Sequence, residues 1–200
     1  SYPRGPGIYI PAGPSELMVI ADDRADPALV AADLLSQAEH DRDAQVILVS
    51  PSAALIDAVE REFDRQAAAI RSIGAATARA IRCADLDQAV AIANAYAPEH
   101  LSLATDAADQ MVARITNAGA IFAGHRASEA FGDYAAGSSH VLPTDGAARF
   151  ASGVSTLTFM KAITVQRLSP DAARALAAPV AALARLEGLE AHARSAEARA

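Results

Sequence analysis

The sequence predicts an α/β domain built on a largely parallel sheet, followed by a small helical C-terminal extension. Three observations point there. Short apolar runs alternate with segments of helical periodicity as far as residue 124. Those runs are continuous rather than alternating, as strands covered on both faces are. The composition is 52% hydrophobic but only 4% aromatic, so Ala, Val, Leu and Ile must fill the core. After about Phe150 the alternation stops, which divides the chain into an α/β lobe at 1–150 and a helical extension at 151–200.

The elements follow in order. "LMVIA" (Leu17–Ala21) reads as a buried strand after a Pro/Gly turn. In "DPALVAADLLSQAEH", Asp26 can cap a helix, Pro27 suits its first position, and Leu29, Ala32, Leu35 and Ala38 recur at helical spacing. "AQVILVS" is a second strand and Ser52 to about Arg71 a second helix. "ARAIRCA" reads as a third strand, and "DLDQAVAIANAYAP" as a helix stopped near Pro98. "HLSLAT" is extended, Ala107–Thr116 helical, and "AGAIFAG" another strand. Beyond Phe150, "FASGVSTLTFMKAITVQRLS" mixes a short helix with an extended piece. Asp171 to about Glu190 is a helix, and the rest a charged tail. Ligands of parallel sheets sit beyond the strand C-termini, which draws attention to the loops after Ala21 and Gly124.

A net charge of −7 with interspersed signs leaves no basic stripe for nucleic acid. No run of about 18 apolar residues suggests a membrane span. The single Cys83 cannot form an internal disulfide, so a cytoplasmic setting is the expectation.

Several polar residues can bear chemistry. Gln37 and His40, three apart, share a helix face and can offer an amide oxygen and an imidazole to one metal ion. A solvated helix end explains the same spacing and is the commoner case. Glu99 and His100 follow Pro98 and form a plausible acid/base couple on a loop, or a polar helix terminus. Asp133 and His140 lie in a Gly/Ser-rich stretch after the last apolar run, suited to a ligand loop. Glu187 and His192 stand near the C-terminus, where a histidine is usually solvated or offsets a helix dipole.

Seven segments, "AGPSELMVIAD", "VAADLLSQAEHD", "YAPEHLSL", "AGAIFAG", "FGDYAAGSSHVLPT", "ARFASGVSTLTFMK" and "EGLEAHARS", occur in the order seen in the histidinol dehydrogenase family. The chain resembles that family from about Ala12 to Ser195. The resemblance implies an incomplete Rossmann-like lobe from a zinc-dependent homodimer that oxidises L-histidinol to L-histidine in two NAD-linked steps. It implies zinc ligands at Gln37, His40, Asp133 and His192, the last donated by a neighbouring subunit. It implies His100 and Glu99 as catalytic bases, one for the alcohol and one for water. Ser15, His140 and Glu187 match substrate-contacting positions, shared with His100 and the four metal ligands. "GSSH" departs from the family's usual "GPNH". The family's NAD-binding lobe precedes "AGPSE", whereas here "GPGIYIPAG" resembles a segment upstream of that lobe. Most of the lobe is therefore expected to be absent, with Tyr9 a remnant of an NAD contact. The rival reading is a non-catalytic zinc and imidazole-ligand binding module. A zinc hydrolase using Glu99 is a weaker third.

Overall fold

The computed structural model describes residues 12–70 and 76–200. The chain divides into two compact units, Ser1–Phe159 and Met160–Ala200.

In the first unit, five parallel strands form one sheet in the order β3-β2-β1-β4-β5. They are β1 (Glu16–Ala21), β2 (Gln45–Ser50), β3 (Thr77–Arg82), β4 (His100–Ala104) and β5 (Ala120–Ala123). The helices between them are α1 (Pro27–Ala38), α2 (Ala53–Ala67), α3 (Leu86–Tyr96) and α4 (Ala108–Val112), with α5 (Glu129–Tyr134) after β5. The chain winds outward from β1 to β3, then returns to lay β4 on the other side of β1. The expected α/β lobe with a parallel sheet is what the chain forms.

Strand periodicity explains the two core faces. Leu17, Val19, Ala21, Val46 and Leu48 point to one side and pack with Val30, Ala31 and Leu34 of α1 and Leu55 and Val59 of α2. Met18, Ile20, Ile47, Val49, Leu101 and Leu103 point to the other, against Ala89, Val90 and Ala93 of α3 and Met111 of α4. The read caps hold. Asp26 accepts from the Ala28 N–H, Ser52 from Leu55 and Asp85 from Gln88.

Three readings need correction. Helix α4 stops at Val112 rather than Thr116, because the Asn94 side chain captures the chain beyond it. Its Oδ1 accepts from the Thr116 and Asn117 N–H groups, and its Nδ2 donates to the Arg114 carbonyl. The segment holding Asp133 is not all loop, since residues 129–134 form α5. The charged tail is largely helix α7 (Glu190–Glu197), which follows α6 (Pro170–Leu186) in the second unit. Gly188, at φ 74°, ends α6 by letting its own N–H reach the Arg185 carbonyl and that of Leu189 reach Ala184. Arg185 then holds α7 with hydrogen bonds to Glu190 and Glu197. Residues 156–159 make a 3-10 turn, and the next ten residues have no regular structure. Among the described residues, no helix is long and apolar enough to cross a membrane.

Candidate functional site

The chemistry-bearing residues gather at the N-terminal edge of the sheet, opposite the edge that the general rule for parallel sheets favours. Helix α1 runs back from β1, so its last turn returns Gln37 to where β1 begins, and His40 follows in the turn beyond the helix end at Ala38 rather than on the helix face expected from the spacing. At the other edge, Arg24 and His125 pair with Asp106, and Thr105 hydrogen-bonds Asp22. His125 thus sits in an ion-pair cluster.

Glu99 lies in the short turn after α3, as a loop reading has it, whereas His100 is the first residue of β4. Helix α3 ends on Ala97 in the left-handed conformation, at φ 61°, and Pro98 forbids continuation. The chain then turns directly into β4, whose first residue is His100. Gly119 makes this turn possible, because a Cβ there would lie 2.5 Å from the Glu99 carbonyl oxygen.

Two buried carboxylates brace the turn. Glu99 Oε2 accepts from the Glu16 N–H at 3.0 Å, and Glu16 Oε2 accepts from the Glu99 N–H at 3.3 Å. Glu16 Oε1 accepts from the Asp145 N–H at 2.9 Å, tying in the segment beyond His140. Burial raises the Glu99 pKa to about 7, with the Glu16 and Asp133 charges adding to it and the Ser15 side-chain hydrogen bond opposing it. Burial also raises Glu16.

His100 Nδ1 lies 3.2 Å from the Glu16 carbonyl oxygen. A carbonyl only accepts, so Nδ1 carries the proton and Nε2 keeps its lone pair. That Nε2 is buried without a hydrogen-bond partner, 3.9 Å from Asp133 Oδ1. Burial lowers the His100 pKa, which keeps the ring neutral and able to accept a proton. Phe122 stacks on the ring at 6.0 Å. Gly132 lets α5 approach Phe122, since a Cβ there would lie 2.7 Å from the Phe122 ring. This contact places the adjacent Asp133 beside His100.

Gln37 is not solvated. It is 0% exposed, and both atoms of its amide are buried without partners. His40 is exposed and lines a cleft of about 290 Å³ with Ser36, Glu39, Glu129, Ala130, Asp133 and Tyr134. Glu129, a residue the sequence reading missed, is 2% exposed. Its Oε1 lies 3.9 Å from His40 Nε2, and its Oε2 has no partner. Burial raises its pKa to about 8, and the charges of Asp133, Asp33 and Glu99 add to this. Potential ligating atoms of His40, Glu129 and Asp133 lie within 4.8 Å of one another. Amide, imidazole and carboxylate donors with orphaned buried atoms fit a divalent ion such as zinc.

Of the other sequence candidates, Ser15 is half-buried beside Glu99, while His140 is exposed. Glu187 and His192 are exposed residues of the second unit. Tyr9 lies outside the described residues.

Comparison with known proteins gives the family. A family model described as histidinol dehydrogenase matches residues 4–200. The histidinol dehydrogenase of Rhizobium meliloti is 52% identical over 94% of the chain and 45% of its own length. That of Thermus thermophilus is 48% identical over 96% of the chain and 48% of its own. The crystal structure of histidinol dehydrogenase from Elizabethkingia anophelis superposes with a TM-score of 0.89 at 39% identity, covering 95% of this chain and 45% of that one. The chain thus spans about half the length of the relatives it matches. The matched residues include those that build the sheet edge described above, and the chain belongs to the histidinol dehydrogenase family.

Proposed function

We propose that the chain is the proton-handling and metal-binding portion of an enzyme that oxidises L-histidinol to L-histidine, by way of the aldehyde, with two NAD as hydride acceptors. The observation that supports this most is the Glu99–His100 pair: two buried adjacent bases, one held in a single tautomer with its free nitrogen orphaned.

In the first step the His100 Nε2 takes the proton of the substrate hydroxyl while the carbon's hydride leaves for NAD, forming the aldehyde. In the second, Glu99 takes a proton from water as its oxygen bonds to the aldehyde carbon. The hydrate then loses a second hydride to NAD and becomes the carboxylic acid. Ser15 and Glu16 hold Glu99 during this exchange. Gln37, His40 and Asp133, with the partner subunit's His192, are the residues we assign to zinc, in a homodimer. Bound zinc would supply a positively charged anchor for the imidazole and amine nitrogens of the substrate. His140 and Glu187 are assigned to substrate binding, Tyr9 to NAD, residues 1–150 to a catalytic lobe and residues 151–200 to a dimerisation extension, in the cytoplasm.

One observation favours the rival reading, a zinc and imidazole-ligand binding module without turnover. The loop after β1 is "DDRADP", with no glycine to let a backbone approach a pyrophosphate. The loop after β1 therefore offers no glycine-rich dinucleotide cradle. The test is histidinol binding by calorimetry with zinc, alongside NADH formation at saturating NAD. Binding with turnover well below the ordinary range of about 1–10³ per second assigns the missing hydride-transfer power to a lobe outside the chain. Failure to bind histidinol, with zinc present, overturns the proposal.

A further inference from the structure

We propose that Arg149 is a positioning residue for the two bases: its guanidinium fork joins the open C-terminus of α3 to the Gly146 carbonyl, and so clamps the turn that presents Glu99 and His100 to the segment that follows His140. This rests on the reading of Glu99 and His100 as bases, and adds a residue that touches neither.

The need for a clamp follows from how α3 ends. The last carbonyls of a helix have no partners within it. The Ala97 N–H reaches the Ala93 carbonyl at 2.8 Å, which leaves those of Asn94, Ala95 and Tyr96. Residue 98 is a proline and has no N–H to give. The Glu99 N–H goes to Glu16 Oε2 instead. His100 has already entered the sheet, beside Leu17 and Ala120. Two distant side chains fill the gap. Asn117 Nδ2 donates to the Asn94 carbonyl at 2.8 Å. Arg149 Nη2 donates to the carbonyls of Ala95 and, at 3.2 Å, of Tyr96. A cation also suits the negative end of the helix dipole.

The other branch of the fork holds a second turn. Arg149 Nη1 donates to the Gly146 carbonyl at 3.1 Å. Gly146 is left-handed at φ 72°, and a Cβ there would lie 2.1 Å from Nη1, so this turn is built around the guanidinium. Asp145 before it is left-handed too, at φ 53°, and its N–H donates to Glu16 Oε1 at 2.9 Å. The same carboxylate accepts the Glu99 N–H. The two turns are therefore joined twice, through buried Glu16 and exposed Arg149. Each contains a left-handed residue other than glycine, Ala97 or Asp145. Such residues persist only where their surroundings fix them. Lysine keeps the charge but has no planar fork to span three carbonyls.

The test is NMR at pH 8 on the unaltered chain, Arg149→Ala and Arg149→Lys. Hydrogen exchange is read at the Glu99 and Asp145 amides, and the ring nitrogen shifts of His100 report which nitrogen carries the proton. The unaltered chain should show both amides protected and the proton on Nδ1. In Arg149→Ala we expect exchange at both amides to speed by at least about tenfold, although the guanidinium contacts neither. The Nε2–H form of His100 should appear, while amides of β2 keep their protection. Arg149→Lys should resemble Arg149→Ala. If Arg149→Ala fails to fold, Gly146→Ala, which drives the guanidinium from its place, carries the same comparison. Unchanged exchange and an unchanged His100 ring in Arg149→Ala overturn the positioning role, as does acceleration spread evenly into β2. A lysine variant indistinguishable from the unaltered chain overturns the fork. A proton on Nε2 in the unaltered chain overturns the reading of His100 beneath the proposal.

Discussion

At the scale of single residues, the site depends on which atom of each side chain is left free. The Glu16 carbonyl fixes the His100 proton on Nδ1, so Nε2 is the only nitrogen able to act as a base. Glu99 is held by two backbone-directed contacts and a raised pKa near neutrality, where a carboxylate both accepts and returns a proton readily. In a full-length relative, the equivalent of Glu99→Gln should slow aldehyde oxidation by about 10²–10⁴-fold and alcohol oxidation far less. His100→Gln should slow the alcohol step. Stopped-flow NADH formation, started from the alcohol or from the aldehyde, separates the two, and equal slowing of both steps by both changes would refute the division of labour. Gly132 offers a test of placement. Its Ala variant sets a methyl 2.7 Å from the Phe122 ring, so α5 must shift. Urea unfolding should show a loss of about 1–3 kcal/mol, and zinc affinity should fall with it. Unchanged stability and affinity would mean that α5 does not position Asp133.

At the scale of elements, termination matters as much as formation. The site needs α3 to end abruptly so that β4 can start on His100, and Ala97 with Pro98 does this. It needs α1 to end beside the start of β1, which its twelve residues accomplish. In the second unit, Gly188 ends α6 and starts the turn to α7. Gly188→Ala places a side chain at φ 74° and should destabilise this turn by about 1 kcal/mol or more. Amide hydrogen exchange should then accelerate across 186–197 while β1 and β4 stay protected. Uniform acceleration through both units would show that the hairpin does not fold as its own local unit.

At the scale of the whole molecule, the first unit concentrates buried acids at one sheet edge. Glu16, Glu99 and Glu129 all have folded-state pKa values above the ordinary 4.5. Between 4.5 and the raised values the folded protein holds protons that the unfolded chain has lost, so stability falls as pH rises through this window. For Glu99 and Glu129 the window closes at about 7 and about 8. His100 acts oppositely. Its depressed pKa costs stability only as pH falls below its ordinary 6.5. The metal-free chain should therefore melt several degrees lower at pH 8 than at pH 6, and the difference should shrink in Glu129→Gln. A flat or rising melting temperature over that interval would contradict the buried-acid arrangement.

What could be read without coordinates was local. The helix cap at Asp26 acts within two residues, and the runs "LMVIA" and "AQVILVS" announce buried strands, so element order and the parallel sheet were legible. The identity of Glu99, His100, His40 and Asp133 as candidates was legible through matching segments. Glu16 and Glu129 were not, because a glutamate in "PSEL" or "ASEA" looks like any surface acid. The one available hint was that Glu16 directly precedes a buried strand. The sequence by itself determined which segments become strands and helices, since propensity, capping and periodicity are properties of near neighbours. Only the tertiary structure decided that the returning end of α1, the starts of β1 and β4 and the short α5 meet at one edge, and that three glutamates are buried there. Burial is set by what packs against a residue from distant parts of the chain, and it is burial that raises their pKa values and leaves Glu129 Oε2 without a hydrogen-bond partner.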